Sequence, residues 1–73
     1  MKKPRTLNEL RNDPRVRDVL DERGYGNGIF VHLANGWCDP EYDPVGWPDC
    51  STIREDTVKE VLARFKYVNR NRL

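Results

Sequence analysis

Cys38 and Cys50 are the two thiols of the chain, and His32 is its single histidine. These are the residues whose types could carry redox, metal or nucleophilic chemistry. A thiolate nucleophile needs a base and an orienting group, and Cys38 with His32 and Asp39 has those types but no spacing that enforces their geometry. A zinc site would draw on Cys38, Cys50, His32, Asp39 and Asp49, with no close Cys-x-x-Cys pair to build on. Asp39, Glu41 and Asp43 alternate like the start of a calcium loop. Pro40 and Pro44 interrupt that pattern, and the twelfth position from Asp39 is Cys50 rather than Glu. The expectation is therefore no enzyme, metal or cofactor: a sheet histidine, a solvated acidic loop and, for a cytosolic chain, free thiols. A disulfide closing the loop between Cys38 and Cys50 is the alternative for the thiols.

Recognition chemistry has more to work with. Asp39, Glu41, Asp43 and Asp49 fall in a stretch with no Lys or Arg, beside Trp37, Tyr42 and Trp47. Aromatic anchors ringed by charges dominate the energetics of protein interfaces, so Trp47, Tyr42, Asp43, Glu41 and Asp39 form a candidate partner-binding set. The competing reading, at even weight, is that the tryptophans cap a small core. Arg64, Lys66, Arg70 and Arg72 close the chain with no acid among them. They could follow a phosphate backbone, helped by Lys2, Lys3 and Arg5 if the ends of the chain meet. A solvated helix end is the simpler account of them.

The element that must position these residues is Gly28-Ile29-Phe30-Val31-His32-Leu33-Ala34. Its β-branched and aromatic content predicts a central strand, with Ile29, Val31 and Leu33 on one face and Phe30, His32 and Ala34 on the other. Thr6-Leu7-Asn8-Glu9 has the form of a capping box and predicts a short helix over 7–12. Residues 16–21 read either as an extended segment pairing with the central strand or as a second short helix, since Val16, Val19 and Leu20 have helical spacing. The three glycines between Arg23 and Gly28 mark a tight reversal. Asn35-Gly36 predicts a turn that folds Trp37 and Cys38 back beside Leu33 and Ala34. Three prolines over 39–49 predict a long loop. Residues 50–54 then form a short strand, and Thr57 with Glu60 caps a helix bearing Val58, Val61, Leu62, Phe65 and Val68 on one face.

The expected fold is α+β: one small domain over 1–73, with an antiparallel sheet of three or four short strands. A C-terminal amphipathic helix and a short N-terminal helix pack on it, and residues 1–5 and 69–73 fray. At 73 residues, 37% hydrophobic and 34% charged, its core is thin. Open sheet edges leave room for a two-fold dimer covering Phe30. A net charge of +1 fits neither an acidic DNA mimic nor a strongly basic, non-specific DNA binder. No apolar run is long enough to span a membrane, and no hydrophobic segment follows the basic residues at the start. A cytoplasmic protein without a membrane partner is therefore expected.

Asp13-Pro14-Arg15-Val16, Asp21-Glu22-Arg23-Gly24, the strand from Gly28 to Leu33, Gly36-Trp37 and Ile53-Arg54-Glu55-Asp56-Thr57 are spread over residues 13–57 and lead into the last helix. In this pattern the chain resembles short accessory proteins of tailed bacteriophages and prophages. In those relatives the central strand is richer in Trp and Tyr, and histidines precede the Glu-Asp-Thr run, where Phe30 and Arg54 stand here. The resemblance implies a mobile-element accessory protein without a known catalytic site. The leading reading is a non-enzymatic binding module that docks its acidic aromatic loop and an exposed sheet edge or face on a host or phage protein, and so modulates or inhibits a host system. A defence complex, in the manner of anti-CRISPR proteins, is one such target. A nucleic-acid-associated protein using the basic tail is the alternative.

Overall fold

The computed structural model describes residues 3–39 and 50–70 of the chain. Helix α1 (Leu7–Arg11) is followed by strands β1 (Val16–Glu22), β2 (Gly28–Leu33), β3 (Trp37–Cys38) and β4 (Thr52–Glu55), helix α2 (Val58–Phe65) and strand β5 (Asn69–Arg70). Strands β1, β2 and β4 form an antiparallel sheet with β2 in the middle, and β3 pairs with β5 in a second, two-stranded sheet. The α+β architecture expected from the sequence is the one formed.

Residues 16–21 are extended, which resolves the ambiguity between strand and helix. Val16 opposes Leu33 and Asp18 opposes His32, so Arg17 is an extra residue in β1. Such a bulge shifts the alternation by one, letting Val16 and Val19 both face the core although they lie three residues apart. The interval that imitated a helix belongs to an irregular strand. Beyond the bulge, Val19, Val31 and Ile53 stand in one row across the sheet on the core face, and Leu20, Phe30 and Arg54 in the next row on the other.

The core collects Leu10 from α1, Val16 and Val19 from β1, Ile29, Val31 and Leu33 from β2, Ile53 from β4, and Val61 and Phe65 from α2, with Val68 beyond. Both helices sit on the Ile29–Val31–Leu33 side because their apolar stripes have only that face to cover. The opposite face is half open: Phe30 and His32 are half-buried and Leu20 is exposed.

Both helices start as their sequences require. The Thr6 hydroxyl accepts from the Glu9 N–H at 3.1 Å, and Thr57 accepts from the Glu60 N–H at 3.2 Å. The Glu9 carboxylate reaches the Arg5 N–H at 2.7 Å, one residue before the cap.

Two Asp-x-Arg forks fix the ends of β1. Asp13 takes the Arg15 backbone N–H at 2.8 Å and two guanidinium bonds at 2.9 and 2.8 Å, and the Arg15 guanidinium lies 4.5 Å from the Phe65 ring centre. Asp21 and Arg23 repeat the fork on the surface, at 2.8 and 2.7 Å. The turn from β1 to β2 is a 3-10 turn over Arg23–Tyr25 followed by Gly26 in the left-handed region.

Two expectations need correction. The Asn35-Gly36 turn forms, with the Trp37 N–H bonded to the Ala34 carbonyl at 3.1 Å, yet Trp37 and Cys38 do not pair with β2. That end of β2 has no free side, since Leu33 donates to Ser51 O at 2.7 Å and Ala34 donates to Arg15 O at 2.8 Å. Trp37 and Cys38 pair instead with Arg70 and Asn69, which were expected to fray.

Gly28 has φ +88, and a Cβ there would lie 2.8 Å from the Glu55 carbonyl oxygen. Gly28→Ala should destabilise the fold by more than about 1 kcal/mol, because strain and a backbone clash coincide; a urea titration of the two proteins measures this. A second expectation concerns acid. Hydrogen bonds from the Arg15 side chain hold Asp13 below its ordinary 3.8 against the opposing effect of burial, and those from Arg23 take the exposed Asp21 to about 2. A carboxylate with a lowered folded pKa stabilises above its unfolded value and ceases to as the pH falls through the folded one. The melting temperature should fall between about pH 5 and about pH 2, and Asp13→Asn should make that fall shallower.

Candidate functional site

The segment 39–50 leaves and rejoins the domain at one clamped point. Cys38 and Cys50 are joined in a disulfide, with their Cα atoms 5.1 Å apart. The expectation of free thiols is thereby corrected. The reason is local: the Asp39 N–H donates to the Cys50 carbonyl at 2.7 Å, which brings the two chain segments into the span a disulfide bridges.

Beside this link lies a partly buried ion cluster. Asp39 is wholly buried and pairs with Arg64 of α2. Arg64 also donates to Glu55 Oε1 at 2.9 Å and to the Arg54 carbonyl at 3.3 Å. Burial pulls the pKa of this guanidinium down, but the Glu55 hydrogen bond and the Asp39 charge outweigh it and hold the pKa above the ordinary value.

The sequence-derived site residues therefore separate. Glu41, Tyr42, Asp43 and Trp47 lie outside the described residues. Asp39 belongs to the root of the loop and serves as an internal counter-ion. Of the basic set, Arg64 is engaged with Asp39 and Glu55, and Arg70 lies with its guanidinium 5.5 Å from the Trp37 ring centre, over β3. Lys66 is exposed beside Tyr67, and Arg72 lies outside the described residues. Of the three that are described, Arg64 and Arg70 are thus engaged within the domain. Trp37 packs against the core, the role expected for one of the two tryptophans.

The Cys38–His32–Asp39 arrangement does not form. Cys38 is in the disulfide and Asp39 faces Arg64. His32 lies on the half-open sheet face, its Nδ1 3.4 Å from Thr52 Oγ1 and its Nε2 3.9 Å from Asp18 Oδ1. No cluster of three or more His, Cys, Asp or Glu suited to a metal ion occurs among the described residues, and none of their helices is long and apolar enough to cross a membrane. No family model, curated protein or solved structure matches the chain.

The cluster has an asymmetric weak point. Arg64→Met takes the Arg64 guanidinium away from the wholly buried Asp39 and should cost about 3–5 kcal/mol. Asp39→Asn leaves Arg64 with Glu55 and some access to water, and should cost about 1–3 kcal/mol. Chemical denaturation of both variants tests the order, and equal losses would mean that the cluster is not the lock on the loop root.

Proposed function

We propose that this chain is a non-enzymatic protein-binding module that docks its acidic, aromatic loop on a host protein and so modulates or inhibits it. A defence complex is one version of such a target, and the host cytoplasm the place of action. The observation that carries the reading is the clamped root. Asp39 and Cys50 are held by a disulfide, a backbone hydrogen bond and a buried ion pair, all seated on the sheet and α2. Between them run ten residues with Glu41, Tyr42, Asp43, Trp47 and Asp49 and no Lys or Arg. Holding the ends of a recognition loop lowers the ordering cost of binding, and anchors such as Trp and Tyr then supply most of the affinity. The resemblance to phage and prophage accessory proteins supports the same role.

Disulfides are rare in a reducing cytosol. The hydrogen bond and the Asp39–Arg64 pair would hold the root there without the covalent link.

The test begins with affinity capture from a bacterial host and identification of the bound protein, followed by calorimetry with purified components. Trp47→Ala should weaken binding by more than about 1 kcal/mol with the melting curve unchanged. The Cys38→Ser/Cys50→Ser double variant should stay within about tenfold of the parent, because the non-covalent clamp remains. Unchanged affinity in Trp47→Ala, or in a Tyr42→Ala/Trp47→Ala pair, would remove the loop from recognition.

A further inference from the structure

The N-terminal segment runs beside α2 and leaves a groove of about 370 Å³ between them. Pro4, Leu62, Ala63 and Phe65 give it an apolar lining. Lys3, Arg5, Arg15, Lys59 and Lys66 supply its polar lining, and no carboxylate contributes. Arg15 is committed to Asp13. The other four cations make no ion pair among the described residues, unlike Arg23, Arg54 and Arg64, each of which holds a carboxylate. Arg11, Arg17 and Arg70 also make no ion pair among the described residues; the groove differs in gathering four such cations around one aliphatic floor with no carboxylate in its lining.

We propose that this groove binds an acidic peptide segment of a partner protein. An aliphatic side chain of that segment seats on Pro4, Leu62 and Ala63, and flanking carboxylates pair with Lys3, Arg5, Lys59 and Lys66. Charge complementarity selects the sign of the ligand, and the lining selects its body. Single-stranded nucleic acid binds through exposed aromatic faces on which bases stack. The one aromatic ring in the lining, Phe65, is 2% exposed and has the Arg15 guanidinium against it, and the exposed Tyr67 beside Lys66 stands outside the lining. A concave cleft bordered by a helix also does not follow the convex surface of a duplex. The lining includes none of the loop-root residues Cys38, Asp39 and Cys50, and the test below does not depend on what the loop binds.

The probe is a short fluorescein-labelled peptide of alternating glutamate and leucine, titrated with the full chain and followed by anisotropy. Binding should weaken as salt rises. It should fall at least about tenfold in Lys59→Glu/Lys66→Glu and comparably in Ala63→Glu, which places a carboxylate on the floor from an exposed helix position. Arg11→Glu/Arg17→Glu makes the same change in net charge at exposed residues outside the groove and should bind like the parent, as should Trp47→Ala. A glutamate–serine peptide should bind more weakly than the glutamate–leucine one. Circular dichroism melts confirm that each variant is folded, and the two groove variants fail or survive independently. Absence of binding, or equal loss in the Arg11/Arg17 control, overturns the proposal. Displacement of the peptide by a tighter-binding oligothymidylate overturns it in favour of nucleic acid. Self-association of the parent that the Lys59/Lys66 reversal abolishes overturns it in favour of a second copy of the chain.

Discussion

One guanidinium ties together three parts of the chain that are far apart in sequence. Arg64 projects from α2 to the end of β4 through Glu55 and the Arg54 carbonyl, and to the end of β3 through Asp39. Apolar packing presses the helix onto the sheet without regard to register. The planar, directional guanidinium supplies the register that packing lacks, because its bonds form only when helix, strand and loop root are all in place. Burying such a cluster adds little net stability, and losing one partner costs a great deal. Its role is to make one arrangement of a thin core much better than its neighbours.

The covalent link lies next to this cluster and does a different job. A disulfide over twelve residues acts mainly on the unfolded chain, by removing conformations in which the loop ends drift apart. The ion pair and the Asp39–Cys50 backbone bond act on the folded chain, by fixing the direction in which the loop departs. The two devices are complementary, and the second survives reduction. Whatever the loop meets, its base is tied through Arg64 to α2 and to the end of β4.

The parts of this fold legible in the sequence are those governed by local rules. Thr6 and Thr57 announce their helices through capping, the glycines after Arg23 announce a reversal, and the uncharged run at Gly28–Leu33 announces the central strand. The bulge at Arg17 was hidden because it made a strand repeat its inward residues at a helical interval. The pairing of β3 with β5 was hidden for another reason. The turn at Asn35-Gly36 is locally correct, but whether the returning chain finds a free strand edge depends on β1 and on Ser51, which no local pattern reveals. For the candidate site, the composition of the loop could be read directly. The roles of Asp39 and Arg64 could not, since an acid in an acidic stretch and a base in a basic tail each look solvated until the fold brings them together. The basic residues beside α2 were equally scattered along the chain, at both of its ends.

The extra residue at Arg17 also bears on how molecules of this protein behave when crowded together. β1 lies at the rim of its sheet, where a regular, flat strand would offer its unsatisfied amides to any neighbour. An inserted residue bends and twists that rim, and Arg17, Asp18, Asp21 and Glu22 place charge along it. A second chain trying to zip on there would meet a broken ladder and repelling side chains. At this margin of the sheet, the bulge and the charges make β1 a poor template for a strand from another molecule.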